Sequence, residues 1–83
     1  MLTVRFFAQF REALDCDALE VPWQAELSDL DALEAALRAR GENWRQVLDG
    51  DNLIRALNHV VVDSNVVLND GDEIAFFPPM TGG

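Results

Sequence analysis

Leu2-Thr3-Val4-Arg5-Phe6-Phe7, near the start of an 83-residue chain, sets Leu2, Val4 and Phe6 against Thr3, Arg5 and Phe7 in strict alternation. Successive side chains of a strand point to opposite faces, so the stretch predicts a half-buried β-strand with Phe7 directed away from the core. The same period returns in Glu73-Ile74-Ala75-Phe76-Phe77, where Ile74 and Phe76 alternate with Ala75 and Phe77. Pro78 and Pro79 end that strand, because proline has no N–H to donate to a ladder. A roll that lays the first and last strands side by side brings Phe7 and Phe77 together on the outer face. With Val61 they would form an apolar patch on an acidic domain, which points to a protein interface.

Between these strands the pattern alternates in kind. Phe10 and Leu14, at i, i+4, predict a short helix over Ala8 to Leu14, and Ala18 to Val21 a second strand ended by Pro22. The main helix is expected from Asp29 to about Arg40. Ser28 is its candidate cap, with Asp31 three residues later, Leu30, Leu33 and Leu37 lie on one face, and Gly41 is the stop. Asp29, Asp31 and Glu34 near its start and Arg38 and Arg40 at its end complement the helix dipole. Trp44, Val47 and Leu48 predict a second helix over Glu42 to Leu48, ended by Asp49-Gly50-Asp51. Leu53 to Leu57, Val60 to Val62 and Val66 to Leu68 read as strands separated by polar turns. The order strand, strand, helix, then several strands, with no repeat and no long linker, gives an α+β roll of one domain over residues 1–78 and a flexible tail over 79–83.

Composition narrows the function. Fifteen acidic residues against six basic give a net charge of −9, which makes nucleic acid and anionic membrane poor partners and a basic protein surface a good one. All six basic residues are arginine, so the chain has no lysine with which to accept an isopeptide bond from another copy. One cysteine, Cys16, excludes an intramolecular disulfide, a four-cysteine iron–sulfur cluster and a Cys-x-x-Cys redox pair, and reads as a small, partly buried side chain. With no apolar run of about eighteen residues and a strand pattern at its start, the chain reads as soluble and cytoplasmic. His59 reads as a turn or edge residue, and no phosphate loop, catalytic triad or metal-ligand spacing accompanies it.

The chemistry is concentrated in Asp70-Gly71-Asp72-Glu73-Ile74-Ala75-Phe76-Phe77-Pro78-Pro79-Met80-Thr81-Gly82-Gly83. A diglycine end has no Cβ and can thread a channel too narrow for side chains. Six extended residues from Pro78 reach at most about 20 Å, and the two prolines stiffen the base of that arm. The reactive group is then the Gly83 carboxylate, ionised at neutral pH with an unperturbed pKa of about 3.5, so acyl transfer requires prior activation elsewhere.

These residues resemble those of the small subunits of molybdopterin synthase, ubiquitin-like sulfur carriers with a β-grasp fold. The ending at 70–83 is similar to that family's, as is Val4-Arg5-Phe6-Phe7-Ala8-Gln9-Phe10-Arg11-Glu12 to its first strand and helix. The resemblance implies that an activating enzyme adenylates Gly83 with ATP, and that a cysteine desulfurase system supplies sulfur to make a thiocarboxylate. It implies that the large synthase subunit, in a heterotetramer, uses this sulfur to convert cyclic pyranopterin monophosphate to molybdopterin, in two donor turns. The catalytic residues would belong to that large subunit, and this chain would bind no cofactor of its own. By position, Gly83 would carry the sulfur, Gly82 and Thr81 would thread, and Phe7, Val61, Phe77, Pro78, Pro79 and Met80 would face the partner. Met80 stands where valine is frequent, and residues 59–69 depart most from the pattern.

Three other readings share the small, acidic or diglycine character. A carrier for thiamin or tRNA thiolation has the same ending but not Phe76-Phe77-Pro78-Pro79. A ubiquitin-like protein modifier would use the same Gly83 to form isopeptide bonds. An acyl carrier protein needs a serine opening a helix, whereas Ser64 reads as lying in a turn between strands.

Overall fold

Period-two alternation and amphipathic spacing both reappear in the computed structural model, which describes residues 1–50 and 53–79. Strands β1 (Leu2–Phe6) and β2 (Ala18–Val21) flank helix α1 (Gln9–Leu14). A 3₁₀ turn at Ala25–Leu27 leads to α2 (Leu30–Arg38) and α3 (Glu42–Leu48), followed by β3 (Ile54–Leu57), β4 (Val60–Val62) and β5 (Glu73–Phe77). The strands form one sheet in the order β2-β1-β5-β3-β4. The first and last strands are parallel at its centre, with Thr3 opposite Glu73 and Phe6 opposite Phe76, and every other pair is antiparallel. This mixed sheet with helices on one face is the β-grasp, ubiquitin-like α+β fold.

The register explains the core. Leu2, Val4, Phe6, Ile74 and Phe76 are all at most 1 % exposed and meet the Leu30, Leu33 and Leu37 stripe of α2. Phe10 from α1 and Val47 and Leu48 from α3 close the ends of that layer. Phe6 stacks on Phe76 and meets the Trp44 ring edge-on, which joins the sheet to α3.

Four sequence expectations are corrected. Asp29, not Ser28, caps α2: its Oδ1 accepts from Ala32 N–H at 2.8 Å, while the Ser28 hydroxyl donates back to the Ala25 carbonyl. The helix ends at Arg38, and Gly41 precedes α3 without directly ending α2.

Val66 to Leu68 is not a strand of the sheet. Its backbone pairs with the opening of α2, through Leu30 N–H to the Val66 carbonyl and Leu68 N–H to the Ser28 carbonyl, leaving one bridge between Asp29 and Val67. Asn65 adds an acceptor for Asp31 N–H. The segment therefore serves the orphan donors of a helix start, and buries Leu68 while Val67 stays exposed.

Glu34 belongs to the interior, not to the helix dipole. Alternation in β3 turns Arg55 toward α2, where its guanidinium donates to Glu34 Oε2 at 2.9 Å, and Arg38 lies 3.5 Å from Glu34 Oε1. Glu34 is the one buried charged residue among those described. Burying that side chain is tolerable because two guanidiniums face it.

Candidate functional site

The outer face of the sheet carries the site. Phe7 leaves the end of β1 and Phe77 closes β5, and their rings stack with centroids 4.6 Å apart and planes 8° from parallel. Arg5, two residues before Phe7 on the same face, holds its guanidinium carbon 5.7 Å from the Phe7 ring centre. A stacked ring pair with a cation over one ring is favourable in both respects.

Next to the rings the face is hollow because its residues are small. Arg5 lies opposite Ala75, Ala75 opposite Ala56, and Ala56 opposite Val61. The two alanines are nearly covered, whereas Val61 is 67 % exposed. They floor a recess of about 330 Å³ walled by Phe7 and Phe77 on one side and by His59, Val61 and Glu73 on the other. Phe7, Val61 and Phe77 thus meet on one surface, as the alternation predicts.

His59 is a turn residue, as expected, and also a rim residue, which the sequence reading missed. Asn58 and His59 have φ of 49° and 72°, the two positive values of the tight hairpin turn that best matches strand twist. The Asn58 side chain bonds Asp72 Oδ1 and Glu73 N–H, fixing the turn against β5. His59 Nε2 stands 3.7 Å from Glu73 Oε2 at the edge of the recess. Arg5, Ile54 and Ala56 also share the outer face and were not singled out. The signal was the same alternation applied to β3, but it required Arg55 to point inward.

Pro78 and Pro79 follow Phe77 directly and are half-buried, so the chain leaves the sheet beside the stacked rings. Met80, Thr81, Gly82 and Gly83, the expected tail residues, lie outside the described residues. Cys16 is away from this face, half-buried against the core with its thiol 3.4 Å from the Ala18 carbonyl. Among the described residues no group of three His, Cys, Asp or Glu side chains is placed to hold a metal ion. None of the described helices is long and apolar enough to cross a membrane.

A family model described as the ThiS family matches residues 4–83. The chain belongs to the ThiS family. Within it, this ThiS-family chain is 42 % identical over 83 residues to the molybdopterin synthase sulfur carrier subunit of Escherichia coli, with all of both chains covered. It is 37 % identical to the Haemophilus influenzae protein of the same name, again over the whole of both. Its fold matches a chain in a protein–protein complex of subunits 1 and 2 of molybdopterin-converting factor from Helicobacter pylori. That match has a TM-score of 0.72 and 31 % identity, and covers 99 % of this chain and 97 % of the other. The resemblance to molybdopterin synthase small subunits therefore holds along the chain.

Proposed function

We propose that this ThiS-family chain is the sulfur carrier subunit of a cytoplasmic molybdopterin synthase, and that its outer face docks the large subunit while residues 79–83 enter that subunit's active site. The observation that carries the reading is the stacked Phe7–Phe77 pair directly ahead of Pro78-Pro79 and the Gly82-Gly83 end. Full-length similarity to proteins named sulfur carrier subunits supports it.

The physical logic runs from the tail outward. Fixing the backbone of a five-residue segment costs about 1–2 kcal/mol per residue, which a slot built for glycine cannot repay through side chains. An apolar platform next to the root of the tail offsets that cost and raises the local concentration of the terminus at the slot. The net charge of −9 steers the carrier toward basic rims on its partners.

In the reaction, the Gly83 carboxylate attacks the α-phosphate of ATP on an activating enzyme and pyrophosphate leaves. A sulfur nucleophile from a donor system then displaces AMP from the acyl-adenylate, giving the thiocarboxylate. Transfer of that sulfur to cyclic pyranopterin monophosphate, with water supplying the replacing oxygen, returns the carboxylate. Two such deliveries build the dithiolene of molybdopterin. This chain binds, orients and delivers, and the catalytic side chains belong to the partner in a heterotetramer.

Intact-mass measurement after incubation with activating enzyme, ATP and a sulfur source tests the reading. The expected result is the gain from replacing one oxygen by sulfur, lost when Gly83 is deleted although the chain still folds. High-mass conjugates without that gain would transfer the chain to the protein modifiers, and no change at all would refute the carrier role.

A further inference from the structure

Ala8 joins the outward Phe7 to the buried Phe10, and its backbone lies at φ 56°, ψ −133°. Phe10 N–H donates to the Phe7 carbonyl at 3.2 Å, closing a four-residue turn over 7–10. The dihedrals at Ala8 are those of the first central position of a type II′ turn, which glycine dominates because a Cβ there crowds the backbone. Asp15 also has positive φ but, at φ 50°, ψ 43°, occupies the small left-handed region open to L-residues. Ala8 does not, and its side chain is exposed, so no burial of its methyl explains it.

Such a conformation persists only where its surroundings over-determine it. Upstream, Phe6 is locked in the sheet, and downstream, Phe10 is buried against the core. Within the turn, Phe10 N–H holds the Phe7 carbonyl and Arg11 N–H the Ala8 carbonyl, both at 3.2 Å, and on its outer side the Phe7 ring lies on Phe77. The strain at Ala8 therefore bears on that stack as well as on the two hydrogen bonds, because Phe7 is the residue that enters the turn.

We infer that Ala8 is a positioning residue that sets the affinity of the docking face: its strained turn keeps the Phe7 half of the platform incompletely preorganised, so that each partner must order it. The inference rests on the proposed docking role of this face. A carrier that passes cargo from one protein to another has to leave each of them, and tempered preorganisation shortens its stay. Glycine at position 8 takes up the same turn without strain.

The test compares the full chain with its Ala8→Gly variant, free and with purified molybdopterin synthase large subunit. In the free variant, the melting temperature should rise and the ring-current shifts of Phe7 and Phe77 should grow. Binding should tighten about two- to tenfold, the cost of ordering one large side chain, mainly through slower dissociation. A lowered melting temperature, or a raised one with ring-current shifts and dissociation unchanged, overturns the inference. Phe7→Ala separates this from the docking role itself: if it binds the large subunit as the parent does, the docking reading fails, while the ring-current comparison still decides whether Ala8 controls Phe7.

Discussion

Replacing Glu34 removes the shared acceptor of two guanidiniums. The Glu34 side chain is 7 % exposed, that of Arg55 18 % and that of Arg38 35 %. Taking one partner from a fully buried ion pair costs about 3–5 kcal/mol, mostly by leaving the other charge unpaired. Here both arginines keep some water and Arg38 also holds Asp49 at 2.6 Å, so the expectation falls to about 2–3 kcal/mol for Glu34→Leu. Glu34→Gln keeps one acceptor for Arg55 and should lose about 1–2 kcal/mol. Against a total stability on the order of 4–12 kcal/mol for a chain of this length, both changes are large.

The paired replacement Glu34→Leu with Arg55→Met should recover to within about 1 kcal/mol of the parent, because an apolar pair removes the desolvation penalty along with the attraction. Urea unfolding followed by the fluorescence of Trp44 in a Trp23→Phe background, where Trp44 meets Phe6 edge-on against the core, reads the midpoint, and an unchanged slope confirms that stability alone has moved. A Glu34→Leu loss below about 0.5 kcal/mol, or a double variant losing the sum of the two singles, would refute the argument that a buried charge pair joins α2 to β3.

Two further outcomes are expected. Phe77→Ala should cost about 1–2 kcal/mol of stability, since the ring is half-buried and packs on Phe7, yet at least about 2 kcal/mol, near thirtyfold, in binding to a synthase large subunit; a fall in melting temperature as large as that of Phe76→Ala would show the strand faces to be misassigned. Glu42 accepts from the Arg45 guanidinium at 2.6 Å, which holds its carboxyl below the ordinary value of 4.5. A depressed folded value gives a contribution present above the ordinary range and lost as pH falls through the lower one. An NMR titration should place the Glu42 midpoint below that of a free glutamate, and return it upward in Arg45→Ala or at high salt. An ordinary midpoint would mean that the pair does not persist in water.

Alternation made the sheet and its outer phenylalanines legible, because a strand's faces follow from period two once one side must be buried. It also carried the partner face, since Phe7 and Phe77 fall on the wrong parity for the core. Tertiary pairing was not legible. Nothing local distinguishes Val66-Val67-Leu68 from a strand, and its fate is set by the unmet N–H groups at the start of α2. Ser28 and Asp29 are both good caps, and the choice depends on which side chain reaches Ala32 N–H. Arg55 reads as a surface residue until Glu34 is seen beneath it, and Ala8 reads as ordinary helix because a dihedral leaves no trace in residue type.

The parallel pairing at the centre of the sheet has a consequence for synthesis. Thr3 pairs with Glu73, a separation of 73 − 3 = 70 residues, and β5 lies between β1 and β3. Until residues through Phe77 have left the ribosome, the sheet lacks its middle strand and the helices have no complete surface to cover. A chain that stalls before β5 therefore cannot present the stacked rings, so the Phe7–Phe77 pair exists only in chains synthesised at least to the threshold of the tail.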